Sequence, residues 1–296
     1  MTTGQLPIVW SLSAEDAQAG WRALWWNVGP DGELGVILVQ DQNLRRSPYF
    51  KNWIGWHVTT TCDGLLIVVK DGHERRTTVH GINKSTGCLV LLSWSRFLLR
   101  GQSQEKNFVV YSPGGYPMNH ISLGECTESI IGDRDGAIWT AHGDQGIYGD
   151  DPASRAGLAR WNTDGDHTWT PQNLPVLPLG SKASATEGTL AWYAWYSPEG
   201  AFLTRVDPAT GEETSWKNPV RDIDSLTVRG NRMILTHSFH NRPGIELNHA
   251  ELINNTWVIT TQEKLTLPEP MGYSCTQGRD GNLWLRSGDT WTRITL

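Results

Sequence analysis

The stretch "DGNLWLRSGDTWTRITL", residues 280–296, reads as a sheet with one edge left open. Asp280-Gly281 has the composition of a tight hairpin turn, "NLWLRS" follows as one strand and "TWTRITL" as the next. An unpaired strand edge beside apolar side chains invites aggregation, so native chains cover it. Some other segment must supply the missing neighbour. The run "LPIVWSLS" (6–13) is strand-like and lies just before "RALWWNVG" (22–29), which reads as the first inner strand. Set against residues 290–296, it completes the sheet and brings the two ends of the sequence together.

Working outward, a turn followed by an apolar strand recurs along the whole sequence. The segments are "GPDGELGVILVQ" (29–40), "TCDGLLIVVKD" (61–71), "SWSRFLLRG" (93–101), "DRDGAIWTAH" (133–142), "TEGTLAWYAW" (186–195), "RGNRMILTH" (229–237) and "GRDGNLWLRS" (278–287). Marked at Gly32, Gly64, Ser95, Gly136, Gly188, Gly230 and Gly281, they are spaced by 32, 31, 41, 52, 42 and 51 residues, with 47 more to wrap back to Gly32. Repeats of about 40–50 residues suit blades of four antiparallel strands. A second set of turns, "SPGG" (112–115), "NTDGD" (162–166), "DPATGE" (207–212) and "INN" (253–255), falls where a third strand would turn into a fourth.

These spacings predict an all-β fold, a seven-bladed β-propeller occupying residues 1–296 as a single domain, with six blades as the alternative count. The N-terminal strand closes the last blade. A β-sandwich followed by a second domain competes, but it does not require the unit to recur over the full length. "SAEDAQAGW" (13–21) has the makings of one or two helical turns. The 16 Trp suit indoles packed between sheets.

A net charge of −6 without a Lys/Arg cluster excludes a partner held chiefly through phosphates, so no nucleic acid is expected. No apolar stretch is long enough to span a bilayer and no secretion signal is evident at the N-terminus, so a cytoplasmic location away from membranes is expected. Cys62, Cys88, Cys126 and Cys275 lie far apart, as isolated reduced thiols would.

Residues 105–161 resemble a group of uncharacterised actinobacterial β-propeller proteins: "EKNFVVYSPGG", "GECTESIIGDRDGAIWTAHGDQGIYG" and "GLARWNTDG" carry the likeness. Asn107, Tyr111, Glu128, Trp139, Asp144 and Gly149 stand where that group's pattern puts them, while His142, Gly143 and Gln145 depart from it. The resemblance implies the fold and no reaction. "GRDGNLWL" and "GLARWNTDG" are also similar to blades of the virginiamycin B lyase family, propeller lyases that use a magnesium ion.

Propellers usually bind ligands on the face bearing the second-to-third strand loops and the connections between blades. The longest such loop is "AHGDQGIYGDDPASRAG" (141–157), with His142 and Asp144. Inner strands are expected to turn alternate residues into the channel: "HVTTTC" would contribute His57, "CTESII" Glu128, and "DIDSL" Asp222 and Asp224. His237 sits in the His-rich "THSFHNRPGIELNHAE". His57, Glu128, His142, Asp144 and His237 are thus the candidate catalytic groups, able to work as acid and base or to hold a divalent cation (Mg or Ca). Trp25, Trp26, Trp195 and Tyr273 are the candidate substrate-binding walls. Two function classes follow: a lyase or isomerase acting on a small molecule at the channel mouth, or a non-catalytic propeller gripping a peptide or protein partner with a Trp-rich rim.

Overall fold

Turn residues divide the chain into short strands, which pair as successive antiparallel hairpins. A computed structural model describes residues 6–46, 55–101, 106–238, 244–266 and 275–296. Strand β1 (Ile8–Ser11) leads into helix α1 (Ala14–Gln18), started by Ser13, whose hydroxyl accepts the Asp16 N–H. Blade 1 begins with β2 (Trp21–Val28) and β3 (Leu34–Gln40), is interrupted by the hairpin β4 (Leu44–Arg46) and β5 (Trp56–Val58), and resumes with β6 (Cys62–Lys70) and β7 (His73–Ile82). Blade 2 contains β8 (Gly87–Leu91), β9 (Phe97–Arg100), β10 (Phe108–Tyr111) and β11 (Pro117–Ile121). In blade 3, β12 (Thr127–Gly132) and β13 (Ile138–His142) precede helices α2 (Asp144–Ile147) and α3 (Pro152–Arg155), then β14 (Leu158–Trp161) and β15 (His167–Trp169). Blade 4 is β16 (Gly180–Glu187), β17 (Leu190–Ser197), β18 (Gly200–Val206) and β19 (Glu213–Lys217). Blade 5 is β20 (Ser225–Arg229), β21 (Arg232–Ser238), β22 (Ile245–Ile253) and β23 (Thr256–Leu265). Blade 6 takes β24 (Thr276–Arg279), β25 (Asn282–Ser287) and β26 (Thr290–Thr295) and is completed by β1.

The chain ends therefore close the ring as expected, Ile8 pairing with Thr292 and Ser11 with Thr290. Trp10 packs its ring 5.2 Å from that of Trp291 and donates its indole N–H to Glu74 of β7 at 2.8 Å. Arg76, also on β7, grips Asp16 of α1 with two bonds of 2.8 Å, which lowers the Asp16 carboxyl below its usual range. Blade 1 thus holds both the closing strand and the helix behind it.

The blade count is six. The spacing marks Gly64 as the turn of a separate blade, but it lies within β6, the third strand of blade 1. A Cβ at Gly64 would fall 2.4 Å from Ile82 Cδ1 and 2.9 Å from the Leu38 carbonyl, so this glycine serves close packing. The remaining markers do occupy the inner hairpins. All four turns expected between third and fourth strands join those strands in blades 2 to 5.

Six apolar clusters fill the six spaces between consecutive blades. Trp192, Trp216 and Trp257 meet between blades 4 and 5, for example. Each sheet is buried on both faces, which is why "LGVILVQ" and "LAWYAWYS" run apolar without alternation. In β16 the side chains turn toward the two neighbouring blades: Ala183 and Ala185 join the core with blade 5, while Ser184 between them bonds Ser129 of blade 3.

Candidate functional site

On the face of the inner hairpin turns, bonds cross the channel. Arg279 of blade 6 reaches the opposite side and donates from Nη2 to the Gly132 carbonyl of blade 3 at 2.8 Å. Arg134 returns the contact, pairing with Asp280 at 2.7 Å and with the Pro30 carbonyl of blade 1 at 3.1 Å. The Asp280 N–H bonds the Thr186 carbonyl, and Asp280 Oδ1 accepts from the Gly188 N–H, both at 2.8 Å. Blades 1, 3, 4 and 6 are tied together here. Arg279 is 1% exposed, and burial pulls its guanidinium down to about 10.

On the face of second-to-third strand loops, Glu128, His142 and Asp144 gather at one corner of blade 3, while His57 and His237 stand on other blades. His57 is exposed on β5, opposite Arg45, in the hairpin inserted into blade 1 and off the inner-strand ring. This corrects its placement on the channel wall: "HVTTTC" joins an inserted hairpin to a third strand. His237 lies partly buried on β21, the second strand of blade 5, paired with Glu246. His249 stands on β22 with Glu263 at 3.7 Å. Trp195 is 2% exposed, its ring stacked on Phe202 and its N–H given to Thr204, so it belongs to the core and not to a ligand wall. Trp25 and Trp26 are half-buried against the cores flanking blade 1. Tyr273 and His240 lie outside the described residues.

His142 is fully buried, and its surroundings fix its role. The Trp161 indole can only donate to Thr140 Oγ1, at 2.8 Å. The Thr140 proton is then directed to His142 Nε2 at 2.9 Å, and His142 Nδ1–H donates to the Glu125 carbonyl at 2.7 Å. Burial pushes the imidazole pKa down, so the ring is a neutral strut with both nitrogens engaged. Next to it, Asp151 caps α3 by accepting both the N–H and the hydroxyl of Ser154. The Ser, His and Asp do not form a relay, because His142 bonds Thr140 and not Ser154.

Glu128 and Asp144 are exposed near this corner. Glu128 sits where the β12–β13 register shifts, a bulge that re-aims its side chain toward Gly143 and Cys126. The inner strands β2, β8 and β16 shift register at the corresponding place. No group of three or more His, Cys, Asp or Glu positioned to hold a metal ion occurs among the described residues.

The opposite face holds a groove of about 450 Å³ between blades 1 and 2. Leu66 and Val68 of β6 and Leu91 and Leu92 of blade 2 form its apolar floor. Arg75, Arg96, Lys70 and Asp31 stand around the rim, with Glu33 reaching in beside them. Burial raises the Glu33 carboxyl pKa. At the lip is Trp94, 69% exposed.

The backbone beneath Trp94 is unusual. Every other inner hairpin carries a glycine in the left-handed region, namely Gly32, Gly136, Gly188, Gly230 and Gly281. Blade 2 places Trp94 (φ 61°) and Ser95 (φ 60°) there instead. A bulky side chain at positive φ costs about 1–2 kcal/mol. The turn is nonetheless held firmly: Leu92 N–H bonds the Arg96 carbonyl at 2.9 Å, and Ser93 Oγ donates toward the carbonyls of Asp133 and Arg134 in blade 3. The Arg96 guanidinium lies 5.1 Å from the Trp94 ring centre. Sequence reasoning passed over this residue, although "SWSR" is the one inner turn without glycine.

Six four-stranded antiparallel sheets, the last closed by the N-terminal strand, define the class as β-propeller. The structure of U3-55K aligns over 100% of this chain and 99% of its own at 7% identity, with a TM-score of 0.53. A catalytically inactive virginiamycin B lyase from Staphylococcus aureus, solved with quinupristin, aligns over 99% of both chains at 13% identity and a TM-score of 0.46. The WD40 propeller domain of Doa1 aligns over 98% of this chain and 97% of its own at 9% identity and 0.48. At such identities the likeness is one of fold. No protein-family profile matches the sequence and no curated protein matches it, so the resemblance of residues 105–161 to actinobacterial propellers stays a likeness of sequence. No helix among the described residues is long and apolar enough to cross a membrane.

Proposed function

We propose that this chain is a non-catalytic binding propeller whose ligand seats in the groove between blades 1 and 2, against Trp94. The observation that carries this reading is the exposed indole held in left-handed backbone at the groove's lip, where the other inner hairpins use glycine. Strain that packing does not repay marks positions kept for contact with something else. The supporting contrast is on the other face: both nitrogens of His142 are engaged within the fold, and His57 stands on an inserted hairpin off the inner strands. Thermal-shift screening of small-molecule and peptide libraries tests the reading. A ligand that stabilises the wild type should lose its effect in Trp94→Gly and keep it in Glu128→Ala. The reverse pattern would move the site to the channel mouth.

That reverse pattern belongs to a second reading, a lyase or isomerase acting at the channel mouth. It is favoured by one observation, the placement of exposed Glu128 on a bulge of an inner strand close to Cys126. Turnover of a small molecule abolished by Glu128→Gln would establish it.

A further inference from the structure

Resting on the groove reading above, we infer that the occupant is an acidic peptide segment carrying an apolar side chain. The rim's charges are unequally committed. Asp31 is paired with Lys70 at 3.2 Å, and Glu74 with Arg76 at 2.6 Å while it also accepts the Trp10 N–H. Left over are two guanidinium groups and the Glu33 carboxyl, whose Oε2 accepts the Asp31 N–H. Arg75 has no hydrogen bond or ion pair among the described residues, and Arg96 makes one long contact of 3.4 Å to the Thr163 hydroxyl and stacks on Trp94. Neither has a carboxylate partner among the described residues.

Direction follows from strand geometry. On β7 the side chains alternate, and Val79 is buried in the core between blades 1 and 2, so Arg75, four residues before it, faces the same way, into the groove. Arg96 borders the other side, on the inner hairpin of blade 2, with its guanidinium against the Trp94 ring and the Thr163 hydroxyl of blade 3. A free donor fork beside an apolar floor, with a second guanidinium at the lip against Trp94, suits a carboxylate next to a buried aliphatic group. Trp94 closes over the inserted side chain as a rigid anchor, and Trp and Arg are the residue types that dominate binding energy at interfaces.

Fluorescence anisotropy with three fluorescein-labelled hexapeptides tests this on the full chain. Each has a central leucine, flanked by Asp and Glu in the first, Ser in the second and Lys in the third. The expected result is at least tenfold tighter binding of the acidic peptide, weakened by added salt, with a tenfold or greater loss in both Arg75→Glu and Trp94→Gly. Arg75 is exposed and unbonded and glycine suits the Trp94 backbone, so both variants should fold, as circular dichroism would verify. Serine or lysine peptides that bind as tightly as the acidic one, and are lost in Trp94→Gly, would overturn the acidic partner while leaving the groove. Absence of binding, or binding indifferent to both substitutions, would overturn both.

Discussion

The indole of Trp94 lies over the α-carbon of Gly136 in the next blade's turn, so closely that a Cβ there would fall 2.9 Å from Trp94 Cζ3. Gly136 is itself left-handed at φ 86°. The absence of a side chain in blade 3 is therefore what seats the aromatic of blade 2. Gly136→Ala should displace the indole and weaken groove binding several-fold, which anisotropy on the acidic peptide would detect.

The strain in this turn should be recoverable as stability. Replacing Trp94-Ser95 by Asn-Gly, the pair best suited to consecutive left-handed residues, removes a penalty of about 1–2 kcal/mol per residue and forfeits a cation–π contact of about 0.5–1 kcal/mol. A net gain of about 1–3 kcal/mol is expected in urea unfolding, accompanied by loss of ligand binding. A loss of stability would mean that the turn is not strained.

Closure of the ring depends on Trp10, which is 9% exposed between Trp291 and Glu74. Trp10→Ala removes a large buried ring and should cost about 3–5 kcal/mol. The loss should appear as a lower urea midpoint, whereas Trp94→Gly should leave the midpoint unchanged or higher.

His142 gives the fold a dependence on acidity. Its folded-state pKa is depressed by burial, and the unfolded ring titrates near its ordinary value of 6.5. Above that value both states are neutral and the residue contributes no slope. Below it the unfolded chain takes up the proton first, so stability falls as pH falls, by at most about 1.4 kcal/mol per pH unit. His142→Gln should lower stability at pH 7.5 and yet flatten the decline from pH 6.5 downward, read from denaturation curves along the pH series.

Glu33 is the one acidic group in the groove without a basic partner at contact distance among the described residues; its Oε2 accepts the Asp31 N–H at 2.9 Å. Glu33→Gln should tighten binding of the acidic hexapeptide by about two- to fivefold through removal of like-charge repulsion. Weaker binding would mean that Glu33 is itself a contact for the ligand.

Much of the architecture was legible because turns and apolar runs are local signals. The pairing of "LPIVWSLS" with "TWTRITL" followed from an edge that needed covering, and the structure pairs them. The count of blades misled because a glycine that permits close packing, Gly64, looks the same in sequence as one that turns a chain. The 20 or so residues between β3 and β6 then passed for the start of another repeat. Site residues were harder to read. Whether His142 is a strut or a base depends on Thr140, Trp161 and the Glu125 carbonyl meeting around it, and only Thr140 could be placed from strand alternation. Inner-strand residues were assigned to the channel on an alternation that in β16 instead points them at adjacent sheets. Trp94 left a faint trace, a missing glycine, which gains meaning only when all inner turns are aligned.

The pairing of Ile8 with Thr292 spans 284 residues. At a synthesis rate of roughly 5–20 residues per second, β1 emerges roughly 15–60 s before the strand it must meet. Throughout that interval a short apolar ribbon, bearing Trp10, waits without its mate while five sheets assemble behind it. Ring completion is thus the late, topologically expensive event of folding, because β1 is made long before the strand that covers it.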